Sequence, residues 1–166
     1  MQTLMRRATF DTPLGRCAVS WRHAGLTGFE LPEASSLPGD DTAPPADILR
    51  IVDRVRLHLS GQFQDFSDLR YDFSDIPDFN LAVLRATLRI PSGATSTYGA
   101  LAAALDQPAA ASRAVGAALG ANRWPLLIPC HRIVAADGRM TGFSGPGGVR
   151  TKTRLLALEG AQLLSE

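Results

Sequence analysis

Lysine is almost missing from this chain: Lys152 stands alone against sixteen arginines. Cysteine is nearly as scarce, with only Cys17 and Cys130, far apart. No Cys-x-x-Cys pair exists, and His23, His58 and His131 are scattered, so no metal-ligand spacing is evident. A Cys17/His23/His58 cluster is the one conceivable grouping. A disulfide between the two cysteines would be the expected use only in an oxidising compartment. No apolar run approaches the ~18 residues that span a bilayer. The start, Met1-Gln2-Thr3-Leu4-Met5-Arg6-Arg7, lacks the apolar stretch of a secretory signal, and a cytoplasmic location is expected. The glycine-rich stretch Thr141 to Gly148 lacks the Gly-Lys-Ser/Thr ending of a phosphate-binding loop, which excludes that mode of nucleotide triphosphate binding.

A net charge of only +1 conceals an uneven distribution. Residues 1–78 carry 8 basic and 12 acidic side chains, and residues 79–166 carry 9 basic and 4 acidic ones. The basic second half is what contact with nucleic acid requires, although a solvated basic face reads the same way.

The composition is that of an ordinary globular protein, 45% apolar and 20% charged, long enough for one domain or two small ones. Residues 7–31 alternate and break at glycines, which predicts two or three antiparallel strands with a turn at Thr12-Pro13-Leu14-Gly15. Residues 32–46 read as an exposed loop. Asp47 to Leu59 has helical spacing, with Asp47 as N-cap and Ser60-Gly61 as the stop. Residues 62–78 are expected to form a strand and a linker. A helix is expected over Asn80 to Arg89, stopped by Ile90-Pro91-Ser92-Gly93. Thr97 is expected to cap a short helix bearing Tyr98, Leu101 and Leu105. After a turn at Asp106-Gln107-Pro108, an alanine-rich helix is expected over Ala109 to Leu119. The two form a helix-turn-helix candidate. The second helix is nearly all small residues, with Arg113 its only long side chain, so another helix or a DNA groove could approach it closely. Asp137-Gly138 reads as a hairpin turn, and Val149 to Leu158 as the last helix.

Chemistry concentrates in Leu126-Leu127-Ile128-Pro129-Cys130-His131-Arg132-Ile133-Val134. The apolar flanks predict burial. The histidine offers a base and the arginine a fixed cation, and both favour thiolate, the nucleophilic form. The plainer alternative is a small buried cysteine beside a satisfied core histidine. Adjacent side chains diverge in a regular strand, so contact between Cys130 and His131 needs a bend at Pro129 or a bridging water. Glu159 sits at a helix C-terminus, against the helix dipole. It is either a harmless surface group or a buried partner for a histidine, completing a Cys–His–Glu relay.

From Phe79 to Gly160 the chain resembles the catalytic domain of the O6-alkylguanine-DNA alkyltransferases (methylated-DNA–protein-cysteine methyltransferases). The resemblance rests on Ile90-Pro91-Ser92-Gly93, Thr97-Tyr98-Gly99, Ser112-Arg113-Ala114-Val115-Gly116, Asn122, Ile128-Pro129-Cys130-His131-Arg132, Gly142-Phe143-Ser144-Gly145 and Leu155-Leu156-Ala157-Leu158-Glu159-Gly160. Residues 1–78 resemble the family's variable N-terminal domain more loosely, through Thr12-Pro13-Leu14-Gly15. The resemblance implies that Cys130 accepts the alkyl group from a flipped O6-alkylguanine in double-stranded DNA. His131, through water, and Glu159 would maintain the thiolate, Asn122 would brace the turn, and Tyr98 would assist the departing base. Ser144, Phe143, Val134 and Lys152 would line the guanine pocket. Arg113 would fill the gap left by the flipped nucleotide, with Ser112, Ala114 and Gly116 on the DNA-facing helix.

The implied fold class is α+β: residues 1–78 form an N-terminal α/β domain with a small antiparallel sheet, and residues 79–166 a mostly helical domain with a helix-turn-helix. The resemblance implies a monomer that uses no cofactor and no metal, has no membrane partner, and reacts once by forming a stable thioether. Phe143 stands where many relatives carry tyrosine, Arg154 where an aromatic is common, and Asn80 and Leu84 at common Gln and Trp positions. The Gly145 to Gly148 segment is also arranged differently. These departures bear on alkyl-group preference. Competing readings are a lesion-binding relative without alkyl transfer, a helix-turn-helix regulator and a cysteine hydrolase. The first lacks the acceptor cysteine. The second leaves Cys130, Asn122 and Glu159 unexplained, and the third lacks an oxyanion-hole motif.

Overall fold

The structure is a computed structural model that describes residues 4–32, 39–40, 43–136 and 149–161. Three strands, β1 (Arg6–Thr12), β2 (Gly15–Arg22) and β3 (Gly25–Glu30), form an antiparallel meander. The first turn falls where expected, with Thr12 paired to Gly15. Gly25 begins β3 at φ +139°, and a Cβ there would lie 2.6 Å from the Arg70 carbonyl oxygen. Only glycine allows that approach.

Helix α1 (Ala46–Leu59) covers the sheet with Ile48, Ile51, Val52, Val55, His58 and Leu59 buried. Each aliphatic side chain so placed contributes about 1.5–3 kcal/mol. The expected Asp47 cap is corrected: Pro45 is the N-cap, with no side-chain bond, and Asp47 lies inside the first turn. A carboxylate there still meets the positive end of the helix dipole.

The strand expected in residues 62–78 does not form. Tyr71 makes a single bridge to Leu26, and Phe66–Asp68 is a 3-10 turn. Aspartates account for the difference. Asp65 accepts from the Ser67 N–H at 2.9 Å, and Asp72 from the Ser74 N–H at 3.1 Å. Such local bonds compete with a ladder.

The second half holds α2 (Asp78–Thr87), the two-residue strand β4 (Ser96–Thr97), α3 (Tyr98–Ala104), α4 (Ser112–Gly120), the two-residue strand β5 (Ile133–Val134) and α5 (Val149–Leu158). Thr97 caps α3 as expected, accepting from Ala100 N–H at 3.0 Å. The helix expected over Ala109–Leu119 is split: Ala109–Ala111 is a 3-10 turn and α4 starts at Ser112. β4 and β5 pair in parallel, with Thr97 opposite Val134.

One apolar cluster joins the halves, running from Val19, Phe29 and Val55 to Leu84, Trp124, Ile128 and Leu155. Trp124 is fully buried and donates to the Leu26 carbonyl at 3.1 Å. A second cluster, built from Val83, Leu101, Val115, Ala118 and Ile133, includes Cys130.

Candidate active site around Cys130

The chain reaches Cys130 through a strained approach. Leu126 has φ +78°, a left-handed conformation that costs a branched residue about 1–3 kcal/mol. Asn122 compensates on both sides of it. Its amide donates to the Ile128 carbonyl at 3.0 Å, and its oxygen accepts from the Trp124 N–H at 2.9 Å. Pro129 then supplies the expected bend. With φ −81° and ψ 62° it is the centre of an inverse γ-turn closed by Cys130 N–H on the Ile128 carbonyl at 2.8 Å. Cys130, His131 and Arg132 follow as one 3-10 turn, all buried.

Glu159 is the fixed point of the site. It is 3% exposed, which rules out the surface-group alternative. Four donors converge on its carboxylate. Oε1 accepts from His131 Nε2 at 3.0 Å and Arg132 Nε at 2.9 Å. Oε2 accepts from His58 Nε2 at 2.8 Å and Arg132 Nη2 at 2.6 Å. Burial works against the charge, but the bonds from Arg132, His131 and His58 outweigh it and hold the carboxyl well below the usual range. Glu159 is therefore an ionised acceptor at any physiological pH. An acceptor at Oε1 fixes the proton of neutral His131 on Nε2 and leaves a lone pair on Nδ1. Among the described residues that buried Nδ1 has no hydrogen-bond partner.

Arg132 does not serve the thiol as its sequence position suggests. Its remaining donors go to the Ile90 carbonyl at 2.6 Å and Ser92 Oγ at 2.9 Å. The loop after α2 thus holds the arginine, and Gly93 (φ +87°) lets that loop approach the Glu159 carbonyl, 3.2 Å from where a Cβ would stand. The cation that acts on Cys130 is Lys152, buried on α5. Burial pushes the Cys130 thiol up. The Asn122 amide, the Lys152 charge and the backbone N–H groups of 130 and 131 oppose this and favour the thiolate. Burial likewise lowers His131, against the pull of Glu159, so its resting ring is neutral.

Val134 is buried in β5 beside Thr97. Tyr98 is half-buried at the start of α3, and a Cβ on Gly116 would lie 3.7 Å from its ring. Arg113 and Ala114 are exposed on the first turn of α4, with Ser112 half-buried beside them. They form a surface apart from the buried relay. Phe143, Ser144, the Asp137-Gly138 turn and the Gly145 to Gly148 segment lie outside the described residues. Cys17, His23 and His58 do not gather: no group of three or more metal-ligating side chains exists among the described residues. Sequence reasoning missed His58. The available signal was its place on the apolar stripe of α1, three residues after Val55 and seven after Ile51.

A buried thiol beside an imidazole oriented by a buried carboxylate defines a protein whose site is built around one cysteine. The family model described as the DNA-binding domain of 6-O-methylguanine DNA methyltransferase matches residues 78–161. The methylated-DNA–protein-cysteine methyltransferase of Methanothermobacter thermautotrophicus is 36% identical over 151 residues, covering 91% of this chain and 83% of that protein. A DNA base-flipping protein of Thermus thermophilus is 37% identical over 150 residues, covering 90% and 97%. The crystal structure of Mycobacterium tuberculosis OGT in complex with DNA is similar with a TM-score of 0.78 at 34% identity, covering 93% of this chain and 92% of that one. The chain belongs to the O6-methylguanine-DNA methyltransferase family.

Proposed function

We propose that this protein repairs DNA by moving the alkyl group of an O6-alkylguanine onto Cys130, once per molecule. The observation that carries the reading is the His131 ring, tied through Nε2 to an ionised Glu159 and presenting an Nδ1 with no partner among the described residues, within the turn that carries the thiol. A water between Sγ and Nδ1 would let the thiol proton leave for His131 as sulfur attacks the alkyl carbon. The S–C bond forms as the O6–C bond breaks, and the guanine leaves as an anion. Tyr98 donates toward that anion, and the proton released by the thiol ends on guanine. The imidazolium formed on the way is stabilised by Glu159 across 3.0 Å. The product is a thioether, which no group among the described residues is placed to cleave.

The alkyl carbon is unreachable inside a duplex, so the base must be flipped out. Arg113, exposed on α4 beside Ala114, is the side chain assigned to the gap, with Ser112 and Gly116 completing a helix surface of low bulk. Lys152, Val134, Phe143 and Ser144 belong to the same proposal as the pocket for guanine. So do the division at residue 78, a monomeric state and a cytoplasmic location. No helix among the described residues is long and apolar enough to cross a membrane.

Intact mass and peptide mapping after mixing the protein with duplex DNA carrying one O6-methylguanine test this directly. One methyl group on Cys130 with restored guanine is the expected result. Lesion-selective binding without transfer would instead assign the chain to the lesion-flagging relatives.

A further inference from the structure

His58 is fully buried, and both of its ring nitrogens are committed. Nδ1 accepts from the backbone N–H of Gln64 at 3.0 Å. A nitrogen that accepts from a backbone N–H carries no proton, so the single ring proton sits on Nε2. That proton points at Glu159 Oε2, 2.8 Å away. Phe63 and Phe66 pack against the ring, each with its centroid 5.4 Å away. The backbone of the turn after α1 therefore selects the tautomer of His58, and that tautomer donates to the carboxylate that orients His131.

We infer that His58 is a positioning residue for the alkyl transfer, contributed by the N-terminal half, which fixes the Glu159 carboxylate so that Oε1 faces His131. Arg132 alone, gripping one nitrogen to each oxygen, fixes the carboxylate plane from one side. His58 fixes it from the other. The charged and titratable groups facing His131 are Glu159 at the end of α5, Arg132 and Cys130 in its own turn, and His58 on α1. Lys152 adds its charge at Cys130, and Asp65 lies within the field of Arg132. Removing the neutral donor leaves more of the carboxylate charge for His131. Its imidazolium is then favoured, and the acid limb of thiol reactivity moves to higher pH.

The inference rests on the proposed function only for its biological reading, so the test has a readout that needs no DNA. In the full chain, the rate of Cys130 alkylation by iodoacetamide is followed against pH by peptide mapping, beside methyl transfer from O6-methylguanine duplex. His58→Phe fills the volume and removes both bonds. Alkylation by both reagents is expected to slow on the order of tenfold, with the acid limb raised by roughly half a pH unit. His58→Gln keeps an amide donor near the Nε2 position and is expected to restore the parent pH profile. Equal profiles and rates in the folded parent and both variants would overturn the inference. If neither variant folds, 15N spectra of the histidines in the parent protein decide. A protonated Nε2 and a bare Nδ1 on His58 are expected, and the opposite tautomer would overturn it. A shifted iodoacetamide profile without any methyl transfer would sink the repair reading while leaving the positioning role intact.

Discussion

Two buried thiols in one chain have opposite surroundings. Cys17 lies in the middle strand, 2% exposed, opposite Phe10 in the register. Burial pushes its thiol up to about 11, and only Thr12 works against that. Cys130 is nearly as buried, at 8%, and feels the same push. Around it, however, stand the Asn122 amide, the Lys152 ammonium, two backbone N–H groups and, one residue along, an imidazole held by Glu159. Burial alone makes a cysteine inert. Burial among oriented donors and an unpartnered base makes one that reacts when its proton has somewhere to go.

The contrast can be broken most strongly at Glu159. Glu159→Gln removes the charge that Arg132 neutralises, and unfolding by urea is expected to reveal a loss of roughly 3–5 kcal/mol. Its folded-state carboxyl is held below the unfolded value. The stabilisation is therefore present above about pH 4.3 and lost as pH falls below it. Acid titration of stability should be visibly steeper in the parent than in the variant. Next comes the contrast itself. Labelling with iodoacetamide at pH 8 should modify Cys130 and leave Cys17 untouched until denaturant is added, since only Thr12 opposes the burial of Cys17 while donors and a base surround Cys130. Asn122→Ala should make Cys130 resemble Cys17 more closely, slowing transfer about tenfold and lowering stability by roughly 1–3 kcal/mol through the orphaned Ile128 carbonyl and Trp124 N–H. The smallest effect is expected from Lys152→Met, which removes the cation and should slow alkylation of Cys130 about three- to tenfold.

Local signals were well read in the sequence. The three strands, the Thr97 cap and the bounds of α5 follow from alternation, a hydroxyl before an apolar period, and a terminal Glu-Gly. The failures arose where side chains act on distant or competing backbone. Asp65 and Asp72 turned an apolar stretch that reads as a strand into local turns. The pairing of Glu159 with His131 was legible because a carboxylate at a helix C-terminus needs a reason. The destination of Arg132 was not, since the thiol is two residues away in sequence while its partners come from residues 90, 92 and 159. His58 was hidden for a similar reason, since a helix stripe gives burial but not the partner 101 residues away.

That separation also bears on when the protein becomes reactive. A chain partway through synthesis already contains Cys130 and His131, but the carboxylate is 28 residues beyond His131, and its second histidine lies 101 residues before it. The base is unoriented until α5 docks against both the 130–132 turn and α1, one of the last long-range closures available to the fold. Incomplete or locally opened copies carry the thiol without the oriented imidazole, so the arrangement that draws off its proton arrives only with the finished fold.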